Sequence, residues 1–193
     1  MPWTKSFDVD QTLDKAMQLF WARGFEATSI QDLVQGMGIN RGSIYCTYGD
    51  KRKLFIAALN RYNLKYRKAQ LVTLEQDYSP ISSIKTLFYE WIERAMSDPD
   101  NSGCFLTNTA LELAAHDADI GLIVADSQRD IENFFRRLIK KGQQTGEISN
   151  TLSATKTAQS LLAVLIGLLV LSRSRPDRKL LKSIADGAIA NLG

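Results

Sequence analysis

The sequence contains few of the residues from which metal sites and disulfide frameworks are built. Its 193 residues include only two cysteines, Cys46 and Cys104, and a single histidine, His116. Two cysteines do not form a disulfide framework. One imidazole beside the carboxylates of Asp117 and Asp119 is a poor ligand set for a transition metal, and a surface helix end is the better interpretation. We therefore expect no metal site.

The sequence also lacks the common catalytic signatures. It contains no glycine-rich phosphate loop, no Ser/His/Asp spacing typical of hydrolases, and no paired carboxylates with the spacing of an acid–base site. These absences argue against an enzyme and against a bound cofactor, so we expect a binding protein.

Long hydrophobic runs are missing as well. The most apolar stretch, residues 161–171, is 11 residues long, whereas a membrane-spanning helix needs about 18 to 20. We predict a buried helix here and no membrane contact. No signal peptide is recognisable at the N-terminus, and the low cysteine content suits a reducing compartment. The expected location is cytoplasmic.

Apolar residues recur at helical spacing along almost the whole chain, with no convincing run of strict alternation. This pattern predicts an all-α fold. The first helix is expected to start near Asp8 or Asp10 and to end at Gly24, and the second to be capped by Thr28 or Ser29. A fourth helix from residue 51 continues past residue 65 and links the two parts of the chain. Later helices are predicted near residues 80–97, 104–117, 119–143, 151–173 and 176–192.

Two short helices near residues 30–37 and 41–48 are separated by the turn Met37-Gly38-Ile39-Asn40. Each is two to three turns long and has one apolar face, which is typical of a helix-turn-helix. In such a pair, the N-terminal residues of the second helix reach base edges in the major groove, and flanking groups hold phosphates.

The second helix of this pair has few large apolar residues, and they are spaced to face inward. Ile44 and Tyr48 are four residues apart and are expected in the core. The guanidinium of Arg41 suits a guanine edge or a phosphate, and Gly42 leaves room for close approach. The full set of predicted DNA-binding residues is Thr28, Ser29, Arg41, Gly42, Ser43, Tyr45, Cys46, Thr47 and Lys51.

Charge is unevenly distributed along the chain. Residues 1–75 carry 11 Lys and Arg residues against 7 Asp and Glu residues, whereas residues 76–193 carry 13 against 14. A basic front part is consistent with a polyanionic partner, although an ordinary solvated surface has a similar composition. The charge distribution therefore agrees with double-stranded DNA as the partner.

The segment from Phe7 to Phe55 resembles the N-terminal DNA-binding domain of the TetR family of transcriptional regulators. The resemblance implies a three-helix DNA-binding head, residues 1–50, and a larger helical ligand-sensing and dimerisation body, residues 51–193. It also implies that Tyr45 and Lys51 contact phosphates. The residues that carry it are Ala16, Phe20, Gly24, Phe25, Thr28, Ser29, Ile30, Ile39, Arg41, Gly42, Ile44, Tyr45, Tyr48 and Lys51.

The resemblance further implies a homodimer formed by the last two long helices, near residues 119–143 and 151–173. The apolar run carries Ala163 and Gly167, four residues apart, which allow close helix approach. Two heads on one dimer would bind a near-palindromic operator. We expect a repressor that a small-molecule effector releases from this operator.

The effector pocket is expected among residues 60–125, although aromatic residues at helical spacing more often form plain core. The proposed ligand-binding residues are Phe88, Trp91, Cys104, Phe105, Asn108 and His116, with Leu106 and Leu111 as further apolar contacts. One alternative is an electrophile- or redox-sensing repressor that is triggered at Cys104, which lies near a predicted helix N-terminus. Another is a helical interaction protein without a DNA function.

Overall fold

A computed structural model describes residues 7–193, and every regular element in this range is helical. The all-α prediction is confirmed. A π-helical segment, Asn63–Lys68, lies between α4 and α5. The ten α-helices are α1 Val9–Arg23, α2 Ile30–Met37, α3 Arg41–Tyr48, α4 Lys51–Tyr62, α5 Ala69–Asp77, α6 Pro80–Ser97, α7 Phe105–Glu112, α8 Ala118–Thr145, α9 Ala154–Ser174 and α10 Arg178–Ala190.

The first three helices begin and end where the sequence has capping residues. Asp8 caps α1, and Ser29 forms a reciprocal capping box with Asp32 at the start of α2. Gly38 ends α2 in the left-handed conformation, with φ 71° and ψ 28°. Asn40 then caps α3, because its side-chain oxygen accepts a hydrogen bond from the backbone N–H of Ser43 at 2.8 Å. These caps set the helix-turn-helix.

The head is held together by a small apolar core that α4 completes. Phe20 of α1, Leu33 of α2, Ile44 of α3 and Phe55 of α4 are all fully buried. The rings of Phe20 and Phe55 meet edge to face with centroids 5.0 Å apart. Because α4 packs along α1, it contributes directly to the orientation of the head. The proposed division of the chain at residue 50 stays a prediction.

The chain continues from α4 through the π-helical segment into α5 without a break. The backbone at Asn63 and Ala69 is helical, so the predicted continuation past residue 65 is confirmed. A π-helical segment inserts extra residues into the turn and rotates the following side chains. Here Arg67 is turned inward and is almost completely buried. The link between the two parts of the chain is therefore a rigid helical one.

The body consists of α5 to α10, with α8 and α9 packed along one another and α6 against α8, α9 and α10. The predicted helix over residues 104–117 is shorter in the structure and ends at Glu112. The backbone N–H of Asp117 bonds the carbonyl of Leu113 in a turn, and Asp117 then caps α8. A capping aspartate directly before a long amphipathic helix favours a new helix over continuation of the old one.

The most apolar helix is longer than the sequence pattern indicated. α9 has 21 residues and, by length and composition, is sufficient to cross a membrane. The apolar run at 161–171 is shorter than this helix, because flanking residues, mainly Ala, Ser, Thr and Gln with the charged Lys156 and Arg173, extend it at both ends. This is weak evidence for a membrane span, since core helices of folded domains pass the same test. Leu161, Leu165, Leu168 and Leu169 of α9 are buried within the chain.

Candidate nucleic-acid interface and interior cavity

Helix α3 presents a small polar surface because its apolar side chains turn inward. Ile44 is fully buried, and Tyr48 reaches across to α1. The Tyr48 hydroxyl donates to the carbonyl of Val9 at 3.1 Å and lies 3.0 Å from the hydroxyl of Thr12. Burial raises the pKa of Tyr48. The Tyr48 side chain therefore connects α3 to the start of α1, and the opposite face of α3 remains free.

Arg41 and Tyr45 occupy adjacent turns of that free face. The Arg41 Nη2 atom donates to the Tyr45 hydroxyl at 3.3 Å, and its guanidinium carbon lies 5.5 Å from the centre of the Tyr45 ring. Gly42 and Cys46 are exposed beside them. Because Gly42 has no side chain, the α3 backbone at its N-terminus is open to close approach by a nucleic-acid backbone.

Three cations follow at the start of α4, and they differ in their partners. The ammonium of Lys51 lies 4.2 Å from the centre of the Phe25 ring, and among the residues described it forms no ion pair. Arg52 is engaged by two carboxylates of the body. The ammonium of Lys53 lies 3.8 Å from Asp50. Lys51 is therefore the cation of this group that is available to a phosphate.

Two predicted DNA-binding residues are buried instead, which corrects the sequence-based set. Thr28 is fully buried, and its hydroxyl donates to the carbonyl of Gly24 at 2.6 Å. Ser43 is 7% exposed. Helix α3 contacts α4 as well as α2. The pattern of apolar residues does not predict this second packed face, because small polar residues are not part of that pattern. Thr47 is half-buried.

Ser29 is exposed at the N-terminus of α2, but its hydroxyl is already used. It accepts from the backbone N–H of Asp32 and donates to the Asp32 carboxylate. Hydrogen bonds from the side chain and backbone of Ser29 lower the pKa of Asp32. Ser29 therefore acts first as a helix cap, and its exposed position leaves it at the edge of the proposed interface.

Polar contacts tie helices α1–α4 and their loops to the body. Nε and Nη2 of Arg52 donate to both oxygens of Asp117, at 2.6 and 2.7 Å. The Glu112 carboxylate at the end of α7 accepts the backbone N–H groups of Phe25 and Glu26, at 3.2 and 2.9 Å. The Trp21 indole donates to the carbonyl of Gly103 at 2.8 Å. Sequence reasoning missed these contacts, because residues 65 to 87 positions apart carry no local signal of their pairing.

The body encloses a cavity of about 30 Å³, which we call the inner chamber. Two of the six proposed ligand-binding residues, Trp91 and Cys104, line it, and so does Leu106. The prediction placed the pocket among residues 60–125 and therefore did not include the four lining residues that α9 contributes. The other lining residues are Arg67, Gln70, Leu71, Leu87, Thr107, Val124, Ser127, Gln128, Ile131, Leu162, Leu165, Ile166 and Leu169.

The remaining four proposed ligand-binding residues lie elsewhere. Phe88 is fully buried against Phe135, with ring centroids 5.9 Å apart, and Phe105 packs edge to face on Phe55. The Asn108 amide donates to the carbonyl of Ser102. His116 is exposed in the turn before α8. These four are corrections, since two serve the core, one braces a loop, and one faces solvent. The further contact Leu111 is 74% exposed, so it too lies outside the cavity.

Cys104 occupies the N-cap position of α7 and is 5% exposed. The hydroxyl of Tyr62 donates to its sulfur at 3.8 Å. Burial raises the pKa of Tyr62 well above its ordinary value, so this phenol is a neutral donor. Cys46, in contrast, is exposed on α3. Cys46 therefore lies on the proposed DNA-binding face, whereas Cys104 lies in the interior beside the inner chamber.

These features define a helix-turn-helix DNA-binding protein whose helical body contains an interior cavity. The profile described as "Bacterial regulatory proteins, tetR family" matches residues 13–58. A second profile, "Tetracyclin repressor-like, C-terminal domain", matches residues 80–187, more than half of the chain. The chain belongs to the TetR family of transcriptional regulators.

Individual relatives agree with this assignment. The chain is 32% identical over 146 residues to the uncharacterized HTH-type transcriptional regulator YezE of Bacillus subtilis, with 75% of each chain covered. It is 29% identical over 182 residues to the HTH-type transcriptional repressor ComR of Escherichia coli, covering 94% of this chain and 87% of ComR. A cysteine variant of the TetR family regulator CifR, solved with 26-bp double-strand operator DNA, superposes with a TM-score of 0.87 at 25% identity and covers 99% of this chain and 100% of its own.

Proposed function

We propose that the protein is a homodimeric repressor that binds a near-palindromic operator and leaves it when a small molecule occupies the body. The observation that carries the DNA-binding part is the free face of α3, where Arg41, Gly42 and Tyr45 are exposed, together with Lys51 at the start of α4. TetR-family regulators act as homodimers with effectors bound in the C-terminal domain.

On this face the residues have distinct roles. Tyr45 and Lys51 contact backbone phosphates and therefore set affinity and position. Arg41, together with the exposed Cys46 and half-buried Thr47, faces base edges in the major groove. Ser29 marks the border of the interface at the start of α2. Thr28 and Ser43 are not part of it, because their side chains are buried.

The dimer contact that we propose involves the outer face of α9. Ala163 is exposed, and a side chain placed at Gly167 would meet no atom within 4 Å in the single chain. An apolar helix with such an open, small-residue strip is suited to close packing against a second helix. A dimer of this kind places two heads side by side, as a palindromic operator requires. DNA binding also supports the expected cytoplasmic location.

We assign no catalytic step to this protein. The residues that line the inner chamber are mainly aliphatic and include no arrangement of nucleophile, base and orienting group. Binding and conformational change are sufficient for the proposed function, which therefore needs no cofactor and no metal.

A conformational change caused by effector binding is transmitted to the head through the contacts between head and body. Cys104 borders the inner chamber and precedes α7, whose last residue, Glu112, holds the loop between α1 and α2. A shift of α7 therefore moves the loop that carries α2. Coupling of about 1 to 3 kcal/mol between two sites changes operator affinity about 5- to 150-fold.

The proposed function is tested by selecting binding sites from a random pool of duplex DNA with the purified protein at moderate salt. A single enriched palindrome whose affinity falls steeply with salt concentration is the expected result. If the folded, dimeric protein enriches no sequence, the operator-binding proposal is wrong. The same outcome would favour a helical interaction protein without a DNA function.

A second candidate is a repressor that senses electrophiles at Cys104. The specific observation in its favour is that the Cys104 sulfur borders the inner chamber and meets the Tyr62 hydroxyl. The thiol would lose its proton and add to the β-carbon of an electron-poor C=C bond, which breaks the π bond and forms a thioether, and the neighbouring carbon would then take up a proton from solvent. A Cys104→Ser variant that still leaves the operator normally on exposure to an electrophile excludes this candidate.

A further inference from the structure

We propose that the inner chamber and a solvent-open pocket beside it form one two-part site for an uncharged, mostly apolar molecule that carries a hydrogen-bond donor. The inference rests on the proposed function in that this molecule acts as the effector. The second pocket, which we call the vestibule, has a volume of about 190 Å³ and is bordered by Trp21, Arg94 and Asp98.

The two spaces share a wall. Trp91 of α6 and Leu169 of α9 line both the inner chamber and the vestibule. The Trp91 side chain is only 8% exposed, and the guanidinium carbon of Arg94 lies 4.8 Å from the centre of its ring. This cation–π contact holds the indole in the position that separates the two spaces.

The size of the inner chamber requires this wall to move. A space of about 30 Å³ holds about two water molecules, whereas small-molecule sites usually measure about 300 to 1,000 Å³. The vestibule supplies most of the missing volume, and rotation of the Trp91 indole joins it to the inner chamber. A ligand therefore enters from the vestibule and inserts its apolar part past Trp91.

A buried acceptor on Gln70, a residue that lines the inner chamber, selects the polar group of the ligand. Gln70 lines the chamber, and its Oε1 is the one buried side-chain nitrogen or oxygen in the described part of the chain that has no hydrogen-bond partner. Its Nε2 donates to a Glu90 carboxylate oxygen at 2.6 Å, so reversing the amide would set two oxygens against each other. The unpaired atom is therefore an acceptor, and a hydroxyl or N–H on the ligand satisfies it.

The charges near the chamber favour an uncharged ligand. Among the described residues, Arg67 is the only charged side chain that lines it, and the polar contacts of Arg67 are made within the protein. Nε donates to Asn63, Nη1 to the carbonyl of Ser127 at 2.8 Å, and Nη2 to Asp130 at 3.0 Å. An ionised group placed in the inner chamber would lose its hydration without gaining a free counter-charge, which is costly in an apolar space.

A matched pair of fluorinated probes tests the chemistry. 4-Fluorophenol and 4-fluorotoluene have nearly the same shape, but only the phenol donates a hydrogen bond. We expect fluorine NMR titration of the full-length protein, without DNA, to show 4-fluorophenol binding about tenfold more tightly than 4-fluorotoluene. Gln70→Met should bind the two probes with about equal affinity. Its affinity for 4-fluorotoluene should match that of the native protein, which shows that the chamber is intact.

The control variant is Gln76→Met, an exposed glutamine on the same helix, which should keep the tenfold preference. Equal binding of the two probes by the native protein, no binding of either probe, or an unchanged preference in Gln70→Met would each overturn the inference. Operator binding is scored separately. A protein that prefers the phenol but selects no DNA sequence would contradict the proposed function and leave this inference standing.

Tryptophan fluorescence tests whether the shared wall moves when the probe binds. 4-Fluorophenol should change the tryptophan emission of the native protein when excited at a wavelength that the probe does not absorb. We expect this change to persist in Trp21→Phe, in which Trp91 is the remaining tryptophan that lines the two-part site, and to disappear when both Trp21 and Trp91 are replaced by phenylalanine. Loss of the change in Trp21→Phe, or a change that survives the double replacement, would show that the probe does not reach the shared wall and would overturn the two-part site.

Discussion

The guanidinium of Arg52 binds the carboxylate of Asp117 with two hydrogen bonds, Nε to Oδ2 at 2.6 Å and Nη2 to Oδ1 at 2.7 Å. Nη2 also donates to Asp119 at 2.7 Å. Arg52 is the second residue of α4, and Asp117 is the N-cap of α8. This bidentate pair therefore joins the helix that follows the DNA-binding face to the first turn of a long body helix.

Lys51 and Arg52 are adjacent in sequence and should respond differently to removal of their charge. Lys51→Met should weaken binding to all DNA sequences and reduce the slope of log affinity against log salt concentration by about 0.9 for each head, because one phosphate contact is lost. Arg52→Met should leave that slope unchanged, since its charge is paired with Asp117 and Asp119. Salt titrations of operator affinity compare the two. Equal slope changes would contradict the assigned roles.

Arg41 should determine preference at one position of the operator. Replacing it by alanine is expected to cost about 1 to 3 kcal/mol at the preferred base and to relax selection there, because a guanidinium reads a guanine edge bidentately. Affinity for the preferred sequence and for single-base variants provides the measurement. Tyr45→Phe serves as the comparison, since loss of a phosphate contact weakens all sequences alike. A uniform loss in Arg41→Ala would reassign this residue to a phosphate.

Gly38 should be sensitive to substitution for a conformational reason alone. Its φ is 71°, and a Cβ atom there would meet only the ammonium of Lys15, at 3.8 Å. Gly38→Ala should therefore lower the free energy of unfolding by about 1 kcal/mol or more. Gly187→Ala, in a helix with open space around it, should instead raise it by about 0.5 to 1 kcal/mol. Urea unfolding of both variants checks the opposite signs.

The Arg52–Asp117 pair predicts a specific dependence of stability on pH. Hydrogen bonds from Arg52 and then from the Ile120 N–H lower the pKa of Asp117 from its ordinary 3.8 to about 2. Because the unfolded chain takes up this proton first, the stabilisation is complete above about pH 4 and is lost as the pH falls to 2. The difference in unfolding free energy between the native protein and Asp117→Asn should shrink over that interval.

The matching control removes the partner charge. In an Arg52→Met background, Asp117→Asn should produce a difference that changes much less between pH 4 and pH 2, because the largest cause of the lowered pKa is absent and only the backbone hydrogen bonds remain. Chemical unfolding across this pH range measures both pairs. The same pH dependence in the two backgrounds would show that another group is responsible.

Local features of the sequence determined most of the head. Caps such as Ser29 and Asn40, the glycine at 38 and the apolar spacing of Ile30, Leu33 and Met37 act within one or two helical turns. Their effects do not depend on tertiary contacts, so the helix-turn-helix was predictable from the sequence. The family resemblance rested on the same segment, and the profile match over residues 13–58 confirms it.

Only the tertiary structure decided which of the polar and aromatic residues face a partner. Thr28 and Ser43 are buried, and small polar side chains do not reveal such burial in a pattern of apolar residues. Phe88 and Phe105 are core rather than cavity, whereas Gln70 and Leu169 meet at the cavity from helices that are distant in sequence. A cavity is the space left between packed helices, so its lining follows from how those helices approach one another and not from the periodicity of any one of them.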